Sequence, residues 1–301
     1  LAQAVEALQP PACRWLLYGQ GQPVTPPGLA PLARRLLGPL TVAAQFAVGS
    51  NIYFTELNRG RPSLEGADAV CWAMHPQVHA FDNASLMETL HVQGAIAANA
   101  RRLAPGCALA ASPVTLGPRF NPHAPHLPQP GDPRQGALLG AAWLAGSLKY
   151  LAEAGADSVT YGEAAGPRGL MPAEGDEVYP LYHLLGWLAA WREARVQPVI
   201  SSAPPRAVAL ALRQGRRLAL LLANLTAAPQ PVLLHPLVGV ARLRRLNEAS
   251  AMQVGRDPQA WATQQPERVP TAQGALGLVL WPYETAWVEG LAMAPVDAPA
   301  K

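Results

Sequence analysis

Along the first two thirds of the chain, short unbroken apolar runs alternate with longer stretches of helical spacing. The runs at 14–18, 41–48, 67–74, 107–111, 158–161 and 198–202 are bounded by Gly, Pro or polar clusters and predict strands. Between them, 26–37, 85–103, 135–154 and 182–195 carry apolar positions three and four apart and predict helices. The helix at 85–103 opens on Asn83 or Ser85 as N-cap, with Glu88 in its first turn. A strand that is apolar on every residue is buried on both faces, and such strands joined by helices form a parallel sheet wrapped by helices. The expected fold is therefore α/β, a (β/α)8 TIM-type barrel. Six strand–helix units are two short of closure, and the sequence starts inside a helical pattern at 1–8 without Met, so the barrel is expected to lack its first one or two units.

From 205 onward the pattern changes. Runs at 207–213, 218–225, 232–235, 241–246, 276–281 and 285–289 are short, alternating or apolar, and separated by Gly, Pro and Asn with no helix read between them. That spacing predicts a C-terminal antiparallel β-sandwich. The expected division is a barrel domain at 1–203 and a sandwich domain at 204–301, with a frayed tail at 292–301.

A length of 301 residues suits one large domain and a smaller one. The net charge of +3 is small, and the pairs Arg101-Arg102 and Arg216-Arg217 are not interleaved with aromatics, so no nucleic-acid partner is expected. Cys13, Cys71 and Cys107 are isolated in apolar surroundings, which argues against a disulfide framework and for a reducing, cytoplasmic interior. The longest apolar runs are too short for a membrane span. No GxGxxG or Walker loop and no GxSxG elbow occurs, so neither a nucleotide cofactor nor a serine nucleophile is expected. His75 and His79 have HxxxH spacing, but Pro76 between them works against the helix that would make them metal ligands; no cofactor is expected.

In a barrel of this kind the functional groups follow the C-terminal ends of strands. Tyr53, Glu56, Asn58 and Arg59 follow the run at 41–48, on a polar turn that starts at Gly49. His75, Gln77, His79 and Asp82 follow 67–74; Ser112, Thr115, Arg119 and Asn121 follow 107–111; Tyr161, Glu163 and Arg168 follow 158–161. Two carboxylates at equivalent positions suit a division between acid/base and nucleophile, and Glu56 and Glu163 are expected to face each other across one cleft. The plainer alternative pairs each Glu with its neighbouring Arg59 or Arg168, or has it cap the next helix. His79, three residues before Asp82, suits proton transfer near neutral pH; a bond to a loop carbonyl is the alternative. His123 and His126 lie in a Pro-rich loop and look incidental.

Four stretches, YFTELNR at 53–59, HPQVHAFD at 75–82, SPVTLGPRFNP at 112–122 and YGEAAGPRGLM at 161–171, together resemble the bacterial D-apionate (D-apionolactone) lactonases. The resemblance implies hydrolysis of a sugar lactone in carbohydrate catabolism, with a small sugar lactone or sugar as partner. On it, Glu163 is nucleophile or base and Glu56 the partner acid/base. His79, Asn58, Arg59 and Tyr161 become orienting and oxyanion-stabilising groups, while Tyr53, Gln77, Asp82, Thr115, Arg119 and Arg168 contact substrate. The architecture also resembles the clan A glycoside hydrolases, whose acid/base and nucleophile Glu follow strands four and seven. Counting two absent strands, Glu56 and Glu163 stand there. Thr55 departs from the glycosidase pattern, which has Asn before the acid/base. The alternatives are a retaining glycosidase using the same two Glu, roughly 5 to 5.5 Å apart, and an inactive carbohydrate-binding barrel.

Overall fold

The computed structural model describes residues 1–119 and 131–293. Asn121, His123 and His126 lie outside the described residues, as does 294–301. Two compact units emerge, one of Leu1–His75, Val92–Thr115 and Ala154–Gly162, the other of Pro76–His91, Leu116–Glu153 and the chain from Glu163.

The first unit is built on a parallel sheet of β1 (Arg14–Leu17), β2 (Gln45–Ser50), β3 (Ala69–Met74), β4 (Ala108–Val114) and β5 (Ser158–Tyr161), in that order. β3 is buried at every residue and β2 at all but its first, which is why their sequences are continuous rather than alternating. Gly49 makes the β2–β3 approach possible, because a Cβ there would lie 1.8 Å from the Cys71 carbonyl oxygen. α1 (Ala2–Leu8), α2 (Leu29–Leu37) and α3 (Phe54–Gly60) accompany the sheet. Residues 54–60 were expected as a turn; they are helical, with Leu57 buried beneath them. The single helix expected at 85–103 is two, α4 (Asn83–Glu88) and α5 (Leu90–Leu103), and α5 from Val92 on belongs to this unit. They part at Thr89, whose hydroxyl donates to the Ser85 carbonyl.

In the second unit, α6 (Leu138–Glu153) is apolar on every side and buried along most of its length. It packs on α7 (Pro180–Ala189) and on an antiparallel sheet. That sheet has the order β11-β10-β13-β8-β7-β6 and a smaller one pairs β12 with β9. The strands are β6 (Arg195–Gln197), β7 (Ala207–Gln214), β8 (Arg217–Asn224), β9 (Gln230–Leu234), β10 (Leu237–Leu246), β11 (Glu267–Pro270), β12 (Leu276–Leu280) and β13 (Thr285–Met293). Ala209, Leu220, Leu222 and Val288 share one core with Leu276, Leu278 and Leu280, so the two sheets form a sandwich.

Two expectations are corrected here. The sixth parallel strand at 198–202 does not form; β6 lies just before it and pairs antiparallel with β7. The all-strand C-terminal region contains α8 (Glu248–Arg256) and α9 (Pro258–Thr263) between β10 and β11. α8 starts on a capping box in which Asn247 accepts from Ala249 N and Ser250 N while Ser250 Oγ accepts from Asn247 N. Among the described residues, no helix is long and apolar enough to cross a membrane.

Candidate functional site

The C-terminal end of β2 delivers the first group of candidates. Ser50 Oγ donates to the Pro23 carbonyl at 2.8 Å and accepts from Ile52 N at 3.1 Å, turning the chain out of the sheet into α3. Tyr53 is the N-cap of α3, with extended backbone, and Glu56 sits in the first turn of that helix. Glu56 is half-buried, and its Oε2 is sealed from solvent with no hydrogen-bond partner among the described residues. Leaving a buried polar atom unmatched costs about 1–3 kcal/mol, and more for a charged group. Such an atom calls for an explanation. No ion pair joins Glu56 to Arg59 among the described residues; Asn58 and Arg59 are exposed, and the Asn58 carbonyl accepts from Arg61 Nε. Tyr53 Oη and His75 Nε2 are 3.0 Å apart, with the rings edge to face. Thr115 is buried and donates its N–H to the Met74 carbonyl, and half-buried Tyr161 ends β5.

The second unit holds the other candidates. Gln77 is buried and its Nε2 donates to the Leu116 carbonyl at 2.9 Å and to Asp132 Oδ2 at 2.6 Å. Asp132 in turn accepts from Arg134 Nε, Nη2 and N, while Arg134 Nη1 donates to the Phe81 carbonyl and Asn83 Oδ1. Burial alone would push the Asp132 carboxyl up, but the bonds from Arg134 and Gln77 outweigh it and hold the pKa below its ordinary value. The same pairing raises that of Arg134. Asp82 spends its carboxylate as the N-cap of α4, accepting from Ser85 N and Ser85 Oγ, and these bonds lower its pKa. His79 is exposed and makes no hydrogen bond among the described residues, and Arg119 is half-buried.

Glu163 stands two residues beyond β5, in a loop closed by Gly166 N to the Met171 carbonyl and Leu170 N to the Ala164 carbonyl. It is exposed, and its Oε1 accepts from the Arg168 backbone N–H at 3.0 Å. Gly166 has φ +119, and a Cβ there would meet Glu163 Oε1 at 2.9 Å. The contact with Arg168 is thus to the main chain; its guanidinium makes no ion pair with Glu163, and its Nε is buried without a partner among the described residues. Gln135 Nε2 holds the Arg168 and Gly169 carbonyls from behind.

The structure therefore joins Tyr53 to a histidine, Gln77 to an Asp–Arg pair and Glu163 to a backbone donor. The sequence singled out His75 only as one of the polar groups after 67–74 and as a possible metal ligand beside His79, not as a partner of Tyr53, and it did not single out Asp132, Arg134 or Gln135. His75 carries a signal, being the first residue past β3. Asp132 and Arg134 carry only a local one, Asp before Pro133 as a cap, because Gln77 is 55 residues away in sequence. Burial pushes the Cys71 thiol up to about 11, against a bond to Tyr18, so it serves as a packed group. Among the described residues, no cluster of His, Cys, Asp and Glu could hold a metal ion.

Comparison with known proteins adds to this geometry. Residues 7–193 match the model of the D-apionate lactonase TIM barrel domain, and 204–288 match that of the D-apionate lactonase C-terminal immunoglobulin-like domain. A D-apionate lactonase of Brucella anthropi is 28% identical over 204 residues, which are 63% of this chain and 33% of that protein. The chain therefore spans about a third of the length of the curated relative it matches. Among solved structures, the α-L-arabinofuranosidase of Thermotoga maritima has a TM-score of 0.59 at 11% identity, over 87% of this chain and 60% of that one. The GH51 arabinofuranosidase of Xanthomonas axonopodis pv. citri has a TM-score of 0.58 at 12% identity, over 87% and 62%. At such identities the likeness is one of fold.

Proposed function

The chain belongs to the D-apionate lactonase family, and from that premise we propose that it hydrolyses a sugar lactone, D-apionolactone to D-apionate, in the cytoplasm. The barrel domain takes 1–203 and the sandwich 204–301. The observation that carries the reading within this chain is Glu56 Oε2, a buried carboxylate oxygen with no described partner at the C-terminal end of a parallel strand.

Lactone hydrolysis needs attack on the carbonyl carbon, donors for the oxyanion that forms, and a proton for the ring oxygen that leaves. Glu163, with Oε1 occupied by the Arg168 N–H, has Oε2 to take a proton from the attacking water, or to attack directly and form an anhydride that a water then hydrolyses to free the acid and restore the carboxylate. Glu56 supplies the proton to the leaving ring oxygen. His79, Asn58, Arg59 and Tyr161 orient and stabilise the oxyanion, and Tyr53, Thr115, Arg119 and Arg168 contact the polyhydroxylated substrate.

The test is a pH-stat assay on aldonolactones, D-apionolactone among them, beside nitrophenol release from aryl glycosides. Lactone hydrolysis that falls about 10²- to 10⁴-fold in Glu56→Gln and in Glu163→Gln supports the reading. Release of nitrophenol without lactone hydrolysis replaces it with a retaining glycosidase. Sugar binding with no turnover, unchanged by either substitution, replaces it with an inactive binding barrel.

A further inference from the structure

Pro133–Gly136 forms a single 3-10 turn that carries none of the proposed chemistry, yet side chains on and beside it reach two of the segments that do. On one side Asp132, the N-cap of the turn, accepts from Gln77 Nε2 at 2.6 Å, and Arg134 Nη1 donates to the Phe81 carbonyl and to Asn83 Oδ1 at 2.8 Å each. Arg134 Nη2 also donates to Asp132 Oδ2 at 2.7 Å, and the Asp132 side chain is only 7% exposed, so charge-assisted bonds shielded from water fix the turn to the 77–83 segment. On the other side Gln135 Nε2 donates to the Arg168 carbonyl at 3.3 Å and to the Gly169 carbonyl at 3.0 Å. Gly131, just ahead of the turn, comes so close to the same loop that a Cβ there would stand 2.5 Å from the Pro167 carbonyl oxygen.

These contacts bear on Glu163 through Arg168. The Arg168 N–H donates to Glu163 Oε1 at 3.0 Å, and the Arg168 carbonyl that Gln135 holds also accepts from Glu163 N at 3.5 Å. Gly166 N to the Met171 carbonyl, Gly169 N to the Gly166 carbonyl and Leu170 N to the Ala164 carbonyl close the loop on itself without fixing where it stands. From outside, Tyr179 N ties the Leu170 carbonyl, and among the described residues Gln135 is the side chain that reaches the main chain of Arg168. A Gln flanked by two carbonyls can face them only with its amide nitrogen, because its oxygen would meet two acceptors. Each amide hydrogen then has one carbonyl. Glu163 itself is exposed, so its place depends on this loop, and a misplacement of about 1 Å at a reacting group can cost about 100-fold in rate.

We infer that Gln135 is a positioning residue: from a turn anchored to the 77–83 segment it pins Arg168 and Gly169, and so holds the Glu163 carboxylate in the orientation its chemistry uses. The inference rests on the reading of Glu163 as base or nucleophile, but the hold on the loop is measurable without turnover.

Hydrogen–deuterium exchange read by mass spectrometry decides the hold. In Gln135→Leu, peptides covering 163–171 should exchange several-fold faster while those covering β7 and β8 keep wild-type rates. Gln135→Glu, of the same size but with only acceptors facing the two carbonyls at neutral pH, should loosen the loop at least as much. Unchanged exchange at 163–171 in both variants, or equal acceleration in β7 and β8, overturns the inference. Kinetics on the lactone supply the second readout. Each variant is expected to lower kcat about 10- to 100-fold with KM changed only a few-fold, beyond what the folded fraction measured by calorimetry explains. Because Gln135 acts through Glu163, adding Gln135→Leu to Glu163→Gln should leave the residual rate where Glu163→Gln alone puts it. A further fall by the same factor in the double variant, a wild-type kcat in Gln135→Leu, or losses in both single variants that the folded fraction explains in full, overturn it. If the wild type turns over no lactone, the functional reading fails, and the exchange rates still decide whether Gln135 holds the loop.

Discussion

Glu163 can fold its carboxylate back onto its own loop because residue 166 has no side chain. Gly166 combines φ +119 with a site where a Cβ would touch Glu163 Oε1, so Gly166→Ala meets two obstacles at once. A non-glycine backbone in that region costs about 1–3 kcal/mol, and the carboxylate must leave the Arg168 N–H that holds it. The expected outcome is a lower melting temperature together with a fall in lactone turnover larger than the loss of folded protein explains, checked by calorimetry beside the pH-stat rate. Full turnover in a folded Gly166→Ala variant would show that the held geometry is not needed. At this scale the sequence told where chemistry could sit, because an apolar run that ends in directional polar groups marks the exit of a buried strand. It told less about what each group touches. Asp82 looked like the partner of His79 three residues earlier, but Ser85, three residues later, offers both a backbone N–H and a hydroxyl, the geometry of a helix cap. Gln77 looked ready for ligand, and both its amide hydrogens are committed to Leu116 and to Asp132, on segments the sequence gives no reason to place beside it.

Between elements, the segment leaving β6 is held by charge. Lys149 and Glu153 form an ion pair one turn apart on α6, with side chains only 7% and 17% exposed. Between them they grip one residue: Lys149 Nζ donates to the Val199 carbonyl at 3.2 Å, and Glu153 Oε1 accepts from Val199 N at 3.1 Å. This explains why 198–202 is not the sixth parallel strand. Its backbone is tied to side chains of α6 rather than to a ladder, and Ile200 is 96% exposed, so the run is apolar without being buried on both faces. Lys149→Met strands the Glu153 carboxylate in a nearly dry site and should cost about 3–5 kcal/mol in a urea titration. Lys149→Met with Glu153→Leu should cost less than the single change, since no lone charge remains. A single variant as stable as the wild type would remove the clamp from the account. The strand–helix alternation was legible because double-sided burial leaves unbroken apolar runs. α8 and α9 were not, since their buried contacts reduce to Val254 and Trp261 and leave no apolar stripe long enough to read.

For the molecule as a whole, His183, Asp132 and Cys71 are among the groups that tie the stability of the native state to pH. His183 on α7 is buried with Nε2 on the Val254 carbonyl, so that nitrogen carries the hydrogen, and its ring packs against Trp261 and Tyr182. Burial lowers its pKa from 6.5, the Val254 bond opposing, so the unfolded chain takes up the proton first. The stabilisation from His183 is therefore complete above 6.5 and is lost as pH falls below it. Asp132 also has a depressed folded pKa, so its contribution is present above the ordinary carboxyl value of 3.8 and fades only in stronger acid. Cys71 has the opposite sign. Its neutral thiol is favoured by folding, so its contribution is complete below 9.0 and is lost as pH rises towards about 11. The melting temperature should accordingly form a plateau from neutral pH to about 9, decline gently on the acid side first and more steeply at the carboxyl range. His183→Gln, whose amide can still donate to Val254, should flatten the first decline and leave the steeper one in place, as read by fluorimetric melts from pH 4 to 10. A first decline that persists unchanged in that variant would assign it to groups other than His183, and a Cys71→Ser melt that keeps the alkaline decline would do the same for Cys71.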